Sequence, residues 1–410
     1  LEEKLNSNDN KIYRSVKIRL LPTEEQEVLF WKSVGVARWS YNYFLSESYR
    51  VYQGWLEDSS KPKHISDGEV RKYINNVLKK TTHTWLKEVG SNVMKQGVKD
   101  ANIALQNFFK HGKGYPKFKS KKRSKPSFYV NYERLRRTPN GFQGEKIGVV
   151  KTREPLPKIS KGQKYVNPRI TYDGKFWYLS VSFEVRKLDT KLSDNILGID
   201  LGIKELAVVS NQDGTIVKKY HNINKTYEVK RLERKLKREQ RKFSRKILLN
   251  TSHHSDNGRP VYSKDLELCK NIQKQKGIIQ RLYRRLLNIR TNYIHQVTAE
   301  IVKNKPSRVV LEDLNVSGMM KNKHLSKSLM CQKLYEFKRQ IEYKAELYGI
   351  EVVISDRFYP SSKTCHKCGH VKRDLKLSDR TYRCDCCGNV VDRDINASIN
   401  LANYNIESVN

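Results

Sequence analysis

Val16, Ile18 and Leu20 alternate with Lys17 and Arg19, the period of two expected of a half-buried strand. The period then changes. Thr23 followed three residues later by Gln26 is a capping box, and Leu29, Phe30, Val36, Trp39, Tyr43 and Phe44 supply the apolar stripe of one or two packed helices. Helical sequence continues to about Phe109. Alternation returns near Ile147 to Val150 and in the runs on either side of Asp173-Gly174, a residue pair suited to a hairpin turn. These strands, separated by the helical segment, predict a small β-barrel interrupted by a helical domain. Residues 1–10 are polar and Asn-rich and read as a flexible tail.

A polar linker around Leu188 to Ser193 opens a second pattern. Residues 195–210 hold two apolar strands and a turn, Asn211 to Gly214 makes another turn, and 215–221 form a third strand, giving an antiparallel meander. A very basic helix follows from about Tyr227 to Lys246, then a loop from Asn250 to Pro260. In the next helix Ile279, Leu282, Leu286, Ile289, Tyr293, Val297 and Ile301 recur at spacings of three and four. A buried strand at 307–315, a helix from Leu334 to Tyr348, a strand at 350–355 and a short helix from about Asp394 complete the order. Three strands, helix, strand, helix, strand, helix is the succession of an RNase H-like α/β domain.

Three acids stand out in that succession. Asp200 lies inside the first apolar strand, Glu312 at the end of the fourth, and Asp394 at the start of the last helix. A charge inside an otherwise buried strand is costly unless compensated, and a divalent cation is the usual compensation. A few carboxylates can hold the two Mg2+ ions, about 3.5 to 4 Å apart, that serve phosphodiester hydrolysis. Each acid also has a plainer reading: Asp200 a turn with Gly202, Glu312 an ion pair, Asp394 a helix cap. Asp313 and Asp392 are neighbouring carboxylates that could share metal or pair with Arg393 and nearby cations.

A different metal chemistry is written between the last strand and the last helix. Two C-x2-C pairs, fifteen residues apart, have the spacing of a zinc ribbon, and Cys365, Cys368, Cys384 and Cys387 are the expected ligands of one structural Zn2+. Cys386 sits between two ligands and reads as a bystander. Seven cysteines in all, four with metal spacing, fit a reducing compartment. No apolar run reaches the ~18 residues of a membrane span, and none reads as a secretory signal, so a cytoplasmic protein with no membrane partner is expected.

With 410 residues and a formal charge of +38, the chain is large enough for several domains and calls for a polyanionic partner, most simply nucleic acid. The segment from Gly114 to Arg137 interleaves cations with aromatics. There Lys117, Lys119, Lys121, Lys122 and Arg123 can neutralise phosphates, while Tyr115, Phe118, Phe128 and Tyr129 can offer stacking faces. The plainer reading is a solvated basic loop entering a strand whose aromatics are core. Arg234, Lys235 and Arg238 on the basic helix are further candidates for phosphate contact.

Several stretches resemble one family: G-I-D-L-G-I-K-E-L-A-V from Gly198, V-L-E-D-L-N-V from Val310, S-S-K-T-C-H-K-C-G from Ser361, C-D-C-C-G from Cys384 and D-R-D-I-N-A-S-I-N from Asp392. They are similar to the RuvC-like motifs and zinc insertion of the TnpB (OrfB) proteins of bacterial insertion sequences, relatives of the type V CRISPR effectors. V-K-I-R-L-L-P-T-E-E-Q from Val16 and G-Y-P-K-F-K-S-K-K-R from Gly114 extend the resemblance over most of the chain. It implies an RNA-guided, Mg2+-dependent endonuclease: a guide RNA from the transposon end pairs with double-stranded DNA beside a short adjacent motif, and a single RuvC-like site cuts both strands. The family's catalytic acids fall on Asp200, Glu312 and Asp394, and its zinc ligands on the four cysteines named above. Ser398 stands where a second small Ala is expected.

The organisation implied is a multidomain α+β protein: a wedge-like barrel over 11–22 and 125–187, and a helical recognition domain with a basic linker over 23–124. A RuvC-like domain over 188–360 and 391–405 and a zinc ribbon over 361–390 complete it. A monomer in the bacterial cytoplasm, associated with the nucleoid in use, is the simplest expectation. Two other readings stay open: a nuclease-inactive RNA-guided repressor, which intact acids disfavour, and an RNase H-fold transposase. None of the ten His forms the His-hydrophobe-His pair of a rolling-circle transposase.

Overall fold

A computed structural model describes residues 11–376 and 378–404, so the predicted tail at 1–10 lies outside the described residues. The described chain falls into two compact units, Lys11–Val185 and the remainder from Arg186. Among the described residues no helix is long and apolar enough to cross a membrane.

The first unit opens with β1 (Lys11–Leu21) and a single 34-residue helix, α1 (Glu24–Glu57). The capping box forms as expected: Thr23 Oγ1 accepts the Gln26 N–H at 3.3 Å and Gln26 Oε1 accepts the Thr23 N–H at 3.1 Å. Gln26 Nε2 also donates to the carbonyls of Ile147 and Val149, which fixes where the helix leaves the sheet. After α2 (Asp67–Tyr73) and two irregular turns, α3 (Ser91–His111) packs against α1. Gly97 permits the close approach, since a Cβ there would lie 2.7 Å from Ser40 Oγ and 2.9 Å from Ala37 O.

Six further strands follow: β2 (Ser127–Tyr129), β3 (Arg136–Thr138), β4 (Gly141–Gly144), β5 (Gly148–Thr152), β6 (Val166–Tyr172) and β7 (Trp177–Arg186). They join β1 in a seven-stranded sheet ordered β2-β6-β7-β1-β5-β4-β3. Asp173 Oδ1 accepts the N–H groups of Lys175 and Phe176, and Gly174 takes φ +92°, so the β6–β7 hairpin turns where predicted. Phe30, Phe44, Phe142, Ile170, Trp177 and Leu179 form the centre of this unit's core.

The second unit begins with the meander β8 (Ser193–Leu201), β9 (Glu205–Asn211) and β10 (Ile216–His221). The basic helix α4 (Tyr227–Leu249) and α5 (Lys270–Lys303) follow, packed through Val229, Leu232 and Leu236 against Leu282 and Leu286. The segment between them, expected to be a loop, is a hairpin of β11 (Thr251–His254) and β12 (Pro260–Tyr262). Its strands are too short and polar to show alternation; backbone bonds between Ser255 and Arg259, with Gly258 at φ +69°, close the turn.

Then come β13 (Pro306–Leu311), two short helices that no periodicity announces, α6 (Val316–Met319) and α7 (Ser326–Gln332), and α8 (Leu334–Tyr348) with β14 (Glu351–Ile354). The five-stranded sheet runs β10-β9-β8-β13-β14, with β13 parallel to both neighbours. Leu197, Ile199, Val309 and Leu311 face α5 and α8, meeting Val297, Ile301, Phe337 and Ile341. A short antiparallel pair, β15 (Thr381–Arg383) and β16 (Val390–Asp392), runs straight into α9 (Arg393–Ala402). That helix covers the other face of the five-stranded sheet, where Leu401 packs with Val310 and Val353.

Candidate metal centres

Strand register brings the first two acids together. Leu311 of β13 is paired with Ile199 of β8, so Glu312, the next residue, stands beside Asp200 at the ends of neighbouring parallel strands. Side chains alternate across a sheet. Ile199 and Leu311 point to the α5 and α8 side, which turns Asp200 and Glu312 toward the face covered by α9. Gly198 marks the same face: a Cβ there would lie 2.0 Å from Ser398 O and 2.2 Å from Ala402 N, so the helix seats only because β8 has no side chain at that point. The Ser398 hydroxyl is accommodated by Ser210 Oγ at 2.7 Å.

Asp394 enters from the first turn of α9. The cap of that helix is Asp392, whose Oδ1 accepts the N–H groups of Asp394 (2.9 Å) and Ile395 (3.3 Å) and whose Oδ2 lies 3.6 Å from Lys219 Nζ. Asp313 is likewise engaged elsewhere, its Oδ2 receiving Arg357 Nε at 2.9 Å and Nη2 at 2.6 Å. The plainer roles considered for this acid group thus fall on Asp392 and Asp313.

Electrostatics mark the remaining three as a group. Asp200 keeps part of its surface accessible, yet the protein packed around it raises its pKa by burial well above the usual carboxylate range. The charges of Glu312 and Asp394 push it further up, with Arg393 opposing them. Burial also raises Glu312, against the pull of Arg393 and with a push from Asp313. A cation beside such acids would relieve both burial and mutual repulsion. Among the described residues their oxygens do not converge as tightly as the thiols do.

The four sulfur atoms of Cys365, Cys368, Cys384 and Cys387 all lie within 4.8 Å of one another. Cys365 Sγ is 3.6 Å from Cys387 Sγ, and Cys368 Sγ is 3.6 Å from Cys384 Sγ. A tetrahedron with Zn–S arms of about 2.3 Å has edges of about 3.8 Å, so the donor set fits that ion. Two matching knuckles build it. Cys365 N–H donates to His370 O and Gly369 N–H to Cys365 O, while Cys384 N–H donates to Asn389 O and Gly388 N–H to Cys384 O. Gly369 and Gly388 adopt φ +74° and +68°, which explains a glycine directly after each pair. Backbone N–H groups of Cys387 and then Cys386 hold the Cys384 thiol down at about 6, favouring the thiolate a metal needs. Cys386 is exposed and outside the cluster.

The basic segment divides. Tyr115 and Phe118 are exposed, Phe118 at 63 %, whereas Phe128 is 2 % exposed and packs on Phe30 at 5.6 Å. Phe128 is therefore core and not a stacking face; β2 pairing points it inward, and composition alone does not reveal that parity. Tyr129 is half-buried. Lys119 is also drawn in, its Nζ 3.7 Å above the Tyr41 ring and its backbone bonded both ways to the Asn42 amide, and burial lowers its pKa. Lys117, Lys121, Lys122 and Arg123 are exposed, as are Arg234, Lys235 and Arg238 on α4.

Three family models match parts of the chain: a "Helix-turn-helix domain" over 10–54, a "Probable transposase" over 180–323 and a "Cas12f1-like, TNB domain" over 335–401. Over 11–54, the described part of the first of these, the structure has one strand and one unbroken helix. The "Putative RNA-guided DNA endonuclease InsQ" of Escherichia coli (strain K12) is 28% identical over 418 residues, spanning 95% of this chain and 92% of that one. "TnpB-like protein L770" of Acanthamoeba polyphaga mimivirus is 24% identical over 411 residues, 94% of this chain and 72% of that one. Along nearly its whole length the chain is similar to TnpB-like proteins and to proteins named as RNA-guided DNA endonucleases. A solved Cas12f1 bound to its single guide RNA and target DNA superposes on this chain with a TM-score of 0.54, covering 97% of this chain and 99% of that one at 16% identity, a likeness of fold.

Sequence reasoning missed Gly198, Asn396 and Asn400 as parts of this region. The signal for the amides was a pair of Asn four apart on a buried helix, which is unusual enough to ask what they bond.

Proposed function

We propose that this protein is an RNA-guided DNA endonuclease of an insertion sequence, cutting double-stranded DNA beside a short adjacent motif with one carboxylate site formed by Asp200, Glu312 and Asp394. The observation that carries the reading is the parallel register that sets Glu312 beside Asp200 on the face where α9 starts. The strand order β10-β9-β8-β13-β14 supports an RNase H-like, RuvC-like domain over 188–360 and 391–405, with 361–390 as its zinc-ribbon insertion. We read the seven-stranded sheet as the barrel of 11–22 and 125–187, and 23–124 as the helical recognition domain.

In this reading Asp200, Glu312 and Asp394 bind and orient the divalent ions, and Arg393 tempers their mutual repulsion. Bound there, two Mg2+ supply the Lewis acidity that activates water and stabilises the departing oxygen. The thiols hold one structural Zn2+. Exposed cations at 117–123 and on α4 grip phosphates, while base pairing by a guide RNA from the transposon end supplies sequence specificity. The names carried by similar proteins support RNA and DNA as partners.

The test is to purify the protein after co-expression with its native flanking DNA and sequence the RNA retained through high salt. A discrete RNA that ends in sequence from beyond the element, and directs Mg2+-dependent cutting of matching DNA, is expected. Absent or heterogeneous RNA, or joined DNA ends in place of cut ones, overturns the reading.

A further inference from the structure

The thiol ribbon ends where the helix bearing Asp394 begins. β16 stops at Asp392 and α9 starts at Arg393, with no residue between them. The Arg393 N–H donates to Arg380 O at 2.9 Å and its Nη1 to Lys376 O at 3.1 Å. Within the helix, Asn396 is 0 % exposed; its Nδ2 donates to Thr364 O at 2.6 Å and its Oδ1 accepts the His366 N–H at 3.1 Å. One turn on, Asn400 at 6 % exposure donates from Nδ2 to Ser361 O and to Thr364 O, both at 2.7 Å. Thr364 and His366 are the residues on either side of Cys365, the first ligand of the thiol site.

Helix geometry gives these bonds a direction. Two residues turn an α-helix by about 200°, so Asn396 and Asn400 lie on the side away from Asp394 and Ser398. Ser398 is bonded to Ser210 of the sheet, and the amides are bonded to the knuckle. The helix is held from both sides, and its rotation is fixed on the ribbon side by directional hydrogen bonds from buried amides, which are costly to leave unpaired. Apolar packing alone would let the helix roll.

We propose that Asn396 and Asn400 are positioning residues that lock the rotation of α9 to the first cysteine knuckle, so that metal loading of the four thiols sets how tightly the carboxylate site binds its divalent cation. This rests on the reading of Asp200, Glu312 and Asp394 as that site.

Mn2+ binding to the protein–RNA complex, followed by electron paramagnetic resonance, reads the site without turnover. The part lost in Asp200→Ala is the part that counts. The pair Asn396→Ser with Asn400→Ser should keep its zinc, measured by elemental analysis, and weaken Asp200-dependent Mn2+ binding by about tenfold or more, as loss of supporting hydrogen bonds does at other metal sites. Asn403→Ala, at the far end of the same helix, should leave Mn2+ binding unchanged. Should the double variant lose zinc or fold poorly, Asn400→Ser alone and the wild-type complex stripped of zinc by a mercurial give the same reading, each with weakened Mn2+ binding expected. Unchanged Mn2+ affinity in a zinc-loaded double variant, or in the stripped wild type, overturns the proposal. A wild-type complex with no Asp200-dependent Mn2+ binding removes the nuclease reading itself, an outcome distinct from the other two.

Discussion

The two candidate metal centres are assembled in opposite ways. The thiols sit on two knuckles that each close within a few residues by their own backbone bonds and a left-handed glycine. The carboxylates come from positions 200, 312 and 394, and share one face of the sheet only through a parallel strand register and a covering helix. A local centre is written in spacing and can be read from it. A centre made by the whole sheet is written in the order of elements, which singles out its acids, and in the parity of strands, which alone turns them to one face. The energetics differ in the same sense: backbone N–H groups hold the Cys384 thiol toward its charged form, whereas burial pushes Asp200 away from its own.

The sharpest way to break this contrast is Asp200→Ala. It should lower DNA cleavage by roughly a thousandfold or more, the scale of losing several kcal/mol of charge stabilisation in the transition state, with RNA retention unchanged. Cleavage by the variant at wild-type rate in a guide-directed assay would sink the assignment. Cys384→Ser should come next: bound zinc falls to background, hydrogen exchange rises across 361–390, and cleavage drops by less than in Asp200→Ala because the acids themselves remain. A variant that keeps its zinc would show that the ligand set is wrong.

Asp392→Ala removes the α9 cap and should cost about 1 kcal/mol of stability, read as a lower denaturation midpoint, with cleavage reduced but not lost. If it abolishes cleavage as completely as Asp394→Ala does, the two acids share the metal role.

The smallest effect concerns pH. The folded-state pKa of Asp200 is raised, so the metal-free folded protein holds that proton more tightly than the unfolded chain does. Stability is then fullest below the ordinary carboxylate value of about 3.9 and declines as pH rises through the raised value. Asp200→Asn should remove this decline, raising the melting temperature of metal-free protein at neutral pH and not near the acid end. Equal shifts at both ends would mean that ionisation of Asp200 is not the source.

Much of this was legible because it was local. The Thr23 capping box, the Asp173-Gly174 hairpin, the Leu334–Tyr348 helix and the cluster of four cysteines all stand where short-range patterns put them. What escaped needed tertiary knowledge. Phe118 and Phe128 share one basic segment, and only strand pairing separates the exposed ring from the core one. Spacing could not say whether Asp392 or Asp394 caps α9, because both lie within a residue of its start. Thr251–Tyr262 folds as a hairpin that polarity concealed, and the single length of α1 could not be told from two packed helices.

The seating of α9 also carries a rule about length. Asp394 and its anchors at 396, 398 and 400 share one rigid angular phase, and each residue advances a helix by about 100°. An insertion between the two cysteine knuckles would lengthen an outer tract and leave that phase alone. One residue inserted between Asp394 and Asn396 would swing the carboxylate away from the sheet while every anchor stayed in place. In this region the reading frame of the helix, more than its composition, decides which changes the protein can absorb.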